Sequence, residues 1–360
     1  MSKGKVLVAM SGGLDSSVTA ILLADQGYEI VGITLKTYDY ASSGGSKKET
    51  GCCSLDSIND AREVAVQYGF PHYILDVRKE FEEVIISDFV AEYLKGNTPN
   101  PCVLCNSFVK WGYLLKRADL LGCSHIATGH YANIHAVNDR FYLSKGIDAI
   151  KDQSYVLWQL SQSDLSRTLL PLGKYQKTEI RQMAKNYGFH QIAAKSESYE
   201  ICFIPDNDYR GFLKRRVDGL EEKVANGLFV STSGKPLGKH NGYPFYTIGQ
   251  RKGLDVAVGH PLHVVAINPD TNTIVLGDRS ELVKKEMWLK NLNLMKYSTI
   301  ENELEVTTKV RYRDNGTLSR ITQHDDKIKV EFYEDVFAIT PGQSAVFYKD
   351  NDVVGGGIIV

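Results

Sequence analysis

Short apolar runs alternate with helical patterns over residues 6–128, and this alternation restricts the fold more than any other feature of the chain. Val6 to Val8 and Glu29 to Leu35 have the composition of strands, and the stretch between them, Ser16 to Gln26, has a helical pattern closed by Gly27. The pattern predicts further helices at 55–68, 80–95 and 106–121 and further strands at 73–77 and 125–128. Strands that alternate with helices form βαβ units and a parallel sheet. The sequence therefore predicts a doubly wound α/β domain.

The second half of the chain has a different composition. A length of 360 residues corresponds to two or three domains. After Asp206, a basic stretch from Lys214 to Arg216 leads into a segment rich in Gly and Tyr, and from about Trp288 polar and apolar residues alternate as in strands. We expect the α/β domain to cover residues 1–206, a small central domain to cover 207–280, and an all-β domain, either a small barrel or a sandwich, to cover 281–360.

Composition excludes several classes of protein. With 43% hydrophobic and 24% charged residues, the chain has the composition of a globular protein and not of a disordered one. No apolar run approaches the roughly 18 residues that span a bilayer, and the amino terminus lacks the apolar stretch of a secretory signal. We therefore expect a cytoplasmic protein. Lys and Arg number 42 against 43 Asp and Glu, so any contact with a nucleic acid must come from local patches.

A glycine-rich loop follows the first predicted strand and precedes the first predicted helix. Its residues are Ser11-Gly12-Gly13-Leu14-Asp15-Ser16-Ser17. Two glycines let the backbone N–H groups approach an anion, and the dipole at a helix amino terminus favours negative charge. The loop lacks the spacing of a Walker A or a GxGxxG motif. It predicts a phosphate site in which Asp15 holds Mg²⁺ or accepts hydrogen bonds, the alternative being an ordinary Ser/Gly turn capped by Asp.

Three predicted strands end at residues that we expect to share one pocket. In an open α/β sheet, ligands bind at the carboxyl ends of the strands, near the point where the strand order reverses. Ser11, Leu35 and Gly129 all lie at such ends. The sequence therefore predicts that these three segments converge.

Six cysteines, at positions 52, 53, 102, 105, 123 and 202, are too few and too unevenly spaced for a secreted disulfide framework. Zinc binding by the Cys102–Cys105 pair is the less favoured alternative, because there is no second CxxC and adjacent cysteines are awkward ligands. The other alternative is thiol chemistry, in which one cysteine carries a persulfide and another attacks it. Cys123 is predicted to be a buried apolar residue. The sequence does not assign Cys52 and Cys53.

Seven further motifs accompany the loop. They are NPCVLCN (100–106), ATGHYA (127–132), KDQSY (151–155), EICFI (200–204), YTIGQRKGL (246–254), VRYR (310–313) and TPGQSAVFY (340–348). Together with SGGLDS they resemble the tRNA-specific 2-thiouridylase family of the ATP-pyrophosphatase superfamily, in consistent order from residue 5 to residue 359. The resemblance implies an adenine nucleotide alpha hydrolase-like domain, a central tRNA-binding domain and a carboxyl-terminal β barrel.

The resemblance also implies an activity. Members of the family use ATP to adenylate the C2 oxygen of the wobble uridine, position 34, in tRNAs for Glu, Gln and Lys. A cysteine persulfide then delivers sulfur, and AMP and pyrophosphate are released. The implied cofactors are ATP and Mg²⁺, and the implied partners are tRNA and a cysteine desulfurase or sulfur-relay protein.

Individual residues take roles from the motifs that they match. The implied ATP site comprises Ala9, Met10, Ser11, Gly12, Gly13, Leu14, Asp15 and Ser16, with Leu35 and Gly129 beside the adenosine. The implied tRNA contacts are Asn100, Pro101, Cys102, Lys151, Asp152, Gln153, Arg311 and Tyr312. Cys202 would carry the persulfide, and Cys105 would be the nucleophile that can form a disulfide with it. We further expect Lys214, Arg215, Arg216, Arg251, Lys252 and Arg313 to contact RNA phosphates.

Cys102 is a departure from the family, many of whose members have Asp at this position. A cysteine can replace that Asp as a base only as a thiolate. Cys102 could also compete for the disulfide, but we expect Cys105 to form it because Cys105 directly precedes Asn106 in the motif.

Two other functions compete with thiolation. An ATP-dependent synthetase that acts on a small molecule would explain the loop and the sheet, but not Cys105, Cys202 or the β-rich tail. A non-catalytic RNA-binding protein would not need the complete SGGLDS loop. ATP turnover separates the second alternative from the others, and pyrophosphate release that depends on tRNA separates thiolation from the first.

Overall fold

The computed structural model describes residues 2–38, 54–195 and 201–360. Cys52, Cys53, Glu200 and most of the loop predicted at 36–53 lie outside the described residues. The strands are β1 Lys5–Ala9, β2 Glu29–Lys36, β3 His72–Asp76, β4 His125–Ala127, β5 Ala132–Val137, β6 Arg140–Lys145, β7 Thr168–Leu169, β8 Gly227–Ser231, β9 Pro236–His240, β10 His263–Asn268, β11 Thr273–Gly277, β12 Val283–Leu294, β13 Glu303–Lys309, β14 Thr317–His324, β15 Lys327–Phe337, β16 Ser344–Lys349 and β17 Asp352–Ile359. The α-helices are α1 Leu14–Asp25, α2 Leu55–Tyr68, α3 Arg78–Phe81, α4 Ser87–Leu94, α5 Pro101–Leu104, α6 Gly112–Leu120, α7 Gln162–Ser166, α8 Lys177–Asn186, α9 His190–Ala194, α10 Tyr209–Arg216 and α11 Leu220–Lys223.

The first sheet is parallel and has the strand order β3-β2-β1-β4-β7. Its central strand is buried on both faces: Val6 and Val8 pack with α1, α2 and α8, whereas Leu7 packs with α6. The chain moves outward from β1 to β3 and returns to the other side of β1 with β4, so the strand order reverses at β1. The predicted doubly wound sheet is therefore confirmed.

Most predicted helices lie where the sequence places them, and α2 illustrates why. Ser54 accepts a hydrogen bond from the Ser57 amide at its start, and Gly69 ends it in the left-handed region, at φ 68°. The predicted helix at 106–121 was wrong at its start, because the helix begins at Pro101. Proline suits the first turn, where an N–H has no partner within the helix.

Two helices contain π-helical segments that the pattern does not predict. Glu82–Ile86 lies between α3 and α4, and Cys105–Trp111 lies between α5 and α6. A π-helical turn holds one more residue than an α-helical turn, and such segments are frequent at functional sites. The second one begins at Cys105, a cysteine singled out from the sequence.

A hairpin inside the first domain escaped sequence analysis. Strands β5 and β6 pair with each other, and β6 also pairs with β17 through Ser144 and Asp352. Near this junction the Arg140 guanidinium donates to the carbonyls of Leu294 and Met295 at 2.7 Å. The α/β domain is thereby joined edge to edge to the carboxyl-terminal domain.

The carboxyl-terminal domain is a closed antiparallel barrel. Its strand order is β12-β15-β14-β13-β16-β17, and β12 pairs with β17 to close the ring. Positive φ values at Gly316, Asp325 and Asp350 mark tight turns between its strands. The central segment has a separate sheet of order β10-β11-β8-β9. Among the described residues, no helix combines the length and apolar character needed to cross a membrane.

Candidate active site

The loop between β1 and α1 has the shape of an anion site. Gly12 has φ +69°, and a Cβ at this position would run into the backbone of Ser57 at the start of α2. The Ser16 hydroxyl donates to the Gly13 carbonyl at 3.1 Å and accepts from the Ser11 amide at 3.1 Å. Gly13 caps α1 with no side chain of its own, which leaves the helix amino terminus accessible to an anion. The loop therefore fits phosphate groups.

Met10 and Leu14, at the two sides of the loop, are buried in the core cluster beneath it. Their side chains therefore serve packing, and any contact with a nucleotide falls to their backbone. The Met10 amide donates to the Ile33 carbonyl at 2.8 Å, and the Met10 carbonyl accepts from the Thr34 hydroxyl at 2.6 Å. These bonds fix the loop to β2. Leu35, the residue of β2 that follows Thr34, is half-buried.

Asp15 is held by two side chains that are distant in sequence. The Lys177 ammonium donates to both carboxylate oxygens at 2.7 Å, and the Tyr131 hydroxyl donates to one of them at 2.7 Å. The ammonium also lies 5.6 Å from the centre of the Tyr131 ring. Of the two roles predicted for Asp15, the hydrogen-bonded one is present. Lys177 also neutralises a carboxylate that would otherwise repel a triphosphate.

Gly129 follows β4, which lies on the opposite side of β1 from β2, and it lies close to the phosphate loop. A Cβ at Gly129 would come within 3.0 Å of the Asp15 side chain and the Ser16 amide. Lys195 approaches as well: its ammonium donates to the Gly12 carbonyl at 3.0 Å and pairs with Asp60 of α2. Segments that end β1, β2 and β4 are thus grouped at one edge of the sheet, as the sequence predicts.

The two candidate sulfur-transfer cysteines belong to one packed region. Cys105 is buried in a hydrophobic cluster that contains Phe203 and contacts Ile201, the two neighbours of Cys202. The Phe203 ring lies 5.3 Å from that of Phe89 and 5.7 Å from that of Phe81. Cys202 itself is exposed. The segment is therefore anchored by Phe203 in the cluster that contains Cys105, and Cys202 itself remains open to solvent.

Cys102 and His130 both lie near the charged side chain of Lys110, a residue that the sequence did not identify as part of the site. Lys110, within the π-helical segment, donates to the Asn106 side chain at 2.9 Å. Burial, together with the positive charge of Lys110, lowers the pKa of His130 to about 3. Cys102 is exposed, and desolvation by the protein atoms around its thiol raises the pKa of that thiol, an effect that the charge of Lys110 opposes. At neutral pH this site holds a neutral imidazole and a neutral Cys102 thiol.

The barrel reaches the same site. The Tyr312 hydroxyl donates to the Asp152 carbonyl at 3.0 Å, and its ring lies 5.9 Å from that of Tyr155. Burial raises the pKa of Tyr312, and nearby Asp152 and Cys102 raise it further. In the loop 340–343, the side-chain amide of Gln343 donates to the backbone carbonyls of Thr98 and Pro99. These two residues directly precede residues 100–102, the NPC segment. The segments that contain Asn100, Cys102, Asp152 and Tyr312 therefore meet, and exposed Arg311 lies beside them.

Comparisons with known proteins agree with this arrangement. Family models match residues 4–206 as a tRNA methyl transferase HUP domain, 210–278 as a tRNA methyl transferase PRC-barrel domain and 284–359 as an aminomethyltransferase beta-barrel domain. The tRNA-specific 2-thiouridylase MnmA of Amoebophilus asiaticus is 61% identical over 100% of this chain and 96% of its own length. The protein of the same name from Cytophaga hutchinsonii is 59% identical over 99% of this chain and 97% of its own length.

The chain belongs to the tRNA-specific 2-thiouridylase family. The family and the enzyme class predicted from the sequence, a tRNA sulfurtransferase, are therefore confirmed. The same holds for the three-part fold of α/β domain, central domain and barrel. Membership does not by itself assign a role to any residue of this chain.

One set of basic residues in this thiouridylase is less available to RNA than the sequence suggests. Lys214, Arg215 and Arg216 lie on α10 and form ion pairs with Glu221, Asp206 and Glu82, respectively. Lys214 also lies 5.2 Å from the centre of the Phe245 ring. Lys214 therefore pairs within the central domain and Arg216 pairs with the α/β domain, whereas Arg251, Lys252, Arg311 and Arg313 are exposed.

Lys177, Tyr131, Lys195 and Lys110 are the site residues that sequence analysis missed. Tyr131 lies inside the ATGHYA motif and could have been noticed there. The three lysines carry no local signal, because each reaches the site from a separate helix or loop end. Among the described residues, no group of three or more His, Cys, Asp or Glu side chains could hold a metal ion.

Proposed function

We propose that this chain catalyses ATP-dependent 2-thiolation of uridine 34 in tRNAs for Glu, Gln and Lys, in the cytoplasm. The observation that carries the proposal is the packing of the Cys202 segment into the hydrophobic cluster that contains Cys105. Relatives that are 61% and 59% identical over nearly the whole chain carry the name tRNA-specific 2-thiouridylase, which supports the substrate class.

ATP fits the loop between β1 and α1. In this proposal the phosphates lie against the amides of residues 11–16, and the adenosine lies between Leu35 and Gly129. Backbone N–H groups and a helix amino terminus stabilise the charge that develops on pyrophosphate as it leaves. Mg²⁺ would arrive with the nucleotide and neutralise the phosphates, because Asp15 is already bound by Lys177 and Tyr131.

The target uridine would enter between the NPC segment and the barrel. Asn100, Pro101 and Cys102 would contact the base, and Lys151 to Gln153, Arg311 and Tyr312 would contact the tRNA. A wobble base lies in a single-stranded loop, so turning it into the pocket costs only a few kcal/mol. Adenylation of the C2 oxygen converts that oxygen into a good leaving group, AMP.

Sulfur transfer would use the two cysteines in succession. The terminal sulfur of a persulfide on Cys202 attacks C2, and the C2–O bond to AMP breaks. The Cys105 thiolate then attacks the Cys202 sulfur. The bond between that sulfur and the transferred sulfur breaks, and its electron pair stays on the transferred sulfur as 2-thiouridine forms. The products are 2-thiouridine and a Cys105–Cys202 disulfide, which an external thiol must reduce. A cysteine desulfurase or a relay protein would supply the persulfide sulfur.

The test is transfer of radiolabelled sulfur to an unmodified tRNA for Glu, with ATP, Mg²⁺, cysteine and a cysteine desulfurase. The proposal expects label in the wobble base that requires ATP and is lost in Cys105→Ser and in Cys202→Ser. Cys123→Ala is the matched control, because Cys123 is buried in another cluster beside α6 and should leave transfer intact. Cleavage of ATP to AMP with no label in tRNA would instead favour a small-molecule synthetase.

A further inference from the structure

A short loop between β6 and the 3-10 turn at Ser154–Leu157 is organised around two buried carboxylates. Asp152 accepts from the amides of Gly146 and Ser154 and from the Ser154 hydroxyl. Asp148 is 8% exposed and accepts from the amides of Ile150 and Lys151. Buried carboxylates that accept several amide hydrogen bonds hold a backbone in one conformation. These bonds define the conformation of the loop, and Lys151 to Gln153 take their positions from it.

Asp148 also holds an element outside the loop. Its second oxygen accepts from the Lys177 amide at 2.9 Å, at the first residue of α8. A carboxylate at a helix amino terminus is stabilised by the helix dipole and satisfies an amide that has no partner within the helix. One carboxylate thus joins the amides of Ile150 and Lys151 to the first turn of α8. The side chain of that same Lys177 binds Asp15 of the phosphate loop.

A second set of hydrogen bonds also connects this loop to a partner of Asp15. The Gln153 side chain accepts from the Tyr131 amide at 3.0 Å, and the Gln153 amide donates to the Tyr131 carbonyl at 2.9 Å. The Tyr131 hydroxyl donates to Asp15. Both partners of Asp15, Lys177 and Tyr131, are therefore fixed at their backbones by residues of one loop.

We propose that Asp148 is a positioning residue that couples the 151–153 segment to the phosphate loop, so that RNA bound on this segment strengthens the binding of ATP. The inference rests on the proposed function, which places tRNA on Lys151 to Gln153. RNA bound on this segment favours the loop conformation in which Asp148 holds the amides of Ile150 and Lys151, and Asp148 then fixes the turn from which Lys177 reaches Asp15. Coupling of this kind is reciprocal, so ATP strengthens the binding of RNA by the same factor.

The geometry identifies which substitution breaks the coupling. Asp148→Asn keeps one acceptor oxygen but replaces the other with an amide group, so the side chain can no longer accept from both the loop amides and the Lys177 amide. Gln153→Ala removes the second connection at the other end of the loop. Asp164→Asn is the matched control, because Asp164 caps α7 in the same domain and has no hydrogen bond toward Asp15 among the described contacts.

The experiment measures the dissociation constant of α,β-methylene ATP, which cannot release pyrophosphate, with and without a saturating unmodified tRNA transcript for Glu. The parent protein and Asp164→Asn should bind the analogue about fivefold or more tightly with tRNA, within the usual range of coupling. In Asp148→Asn and in Gln153→Ala the ratio should fall to within about twofold of unity. Each variant's own affinity without tRNA is the internal reference, so a general loss of stability does not imitate the result.

Two results would overturn the inference. One is a parent protein that binds the analogue equally tightly with and without tRNA. The other is an Asp148→Asn variant in which tRNA changes the affinity for the analogue by the same factor as in the parent. The proposed function fails separately. A parent protein that shows the coupling but transfers no labelled sulfur to tRNA would retain the positioning role of Asp148 and lose the thiolation reaction.

Discussion

The phosphate loop lies within the α/β domain, whereas the thiol site also draws on the barrel, and the two are assembled in different ways. The loop consists of consecutive residues, 11–17, and its internal hydrogen bonds join Ser11, Gly13 and Ser16. The thiol site brings together the NPC helix, the segment that follows residue 200, and loops of the barrel. The loop depends on backbone conformation at single positions, whereas the thiol site depends on packing between distant segments. The two regions should therefore fail in different ways when altered.

The largest effect is expected at Phe203, which anchors the thiol site. Phe203→Ala removes a buried ring and should lower the free energy of unfolding by about 3–5 kcal/mol. It also frees the segment that bears Cys202, so sulfur transfer should fall far more than the affinity for ATP. Thermal unfolding, labelled sulfur transfer and ATP binding measure the three quantities. If transfer and ATP affinity fell together, the two regions would not be separable in this way.

The loop should respond most strongly to a change of backbone conformation. Gly12→Ala places a side chain at φ +69° and drives its Cβ into the backbone of Ser57, so we expect a loss of at least about 2 kcal/mol of stability. Gly13→Ala is the control, because Gly13 has φ −90° and a Cβ there would lie 3.4 Å from the Ser11 hydroxyl. Chemical denaturation compares the two variants. Equal losses of stability in the two variants would contradict the claim that the loop depends on the backbone conformation at Gly12.

His130 lies where the two regions meet, and it predicts a pH dependence. Because burial lowers its pKa to about 3, the unfolded chain binds a proton near pH 6.5 that the folded chain does not bind. Stability from this group is complete above pH 6.5 and is lost as the pH falls toward 3. At pH 5 the loss amounts to about 2 kcal/mol.

Denaturation of the parent protein and of His130→Asn at pH 7.5 and pH 5 tests this expectation. The variant should lose less stability between the two pH values than the parent does. An identical loss in both proteins would show that His130 is not the group responsible.

The smallest expected effect concerns the charge on the loop. Lys177→Met leaves the Asp15 carboxylate without its ammonium partner, and the carboxylate then repels the triphosphate. ATP affinity should fall about tenfold, which corresponds to about 1.4 kcal/mol. Lys185→Met, on the same helix at its last turn, is the control. Titration with ATP measures both, and a Lys177→Met variant with parental affinity would remove Lys177 from the description of the ATP site.

This difference in assembly also explains what the sequence could predict. The Gly12 conformation, the helix that follows it and the parallel sheet depend on residues close in the chain, and their positions were predicted well. The start of α5 at Pro101 was not, because the predicted helix began only at residue 106, although proline suits a first helical turn. The domain boundaries at 206/207 and 280/281 stay predictions.

The contacts that complete the site could not be predicted from one sequence. Lys177 meets Asp15 across 162 positions, and Tyr312 meets Asp152 across 160. No local pattern marks such pairs. The sequence likewise gives the charge of the basic residues of α10 but not the carboxylates with which they pair, and their contact with RNA stays a prediction.

The most direct test of the whole account is the disulfide left by one round of sulfur transfer. Persulfide-loaded protein is mixed with ATP, Mg²⁺ and one equivalent of unmodified tRNA for Glu in the absence of reductant, and peptides are mapped by mass spectrometry. The account predicts one Cys105–Cys202 disulfide for each 2-thiouridine formed, and none without ATP. Thiouridine that forms without this disulfide, or with a Cys102–Cys202 bond in its place, would contradict it.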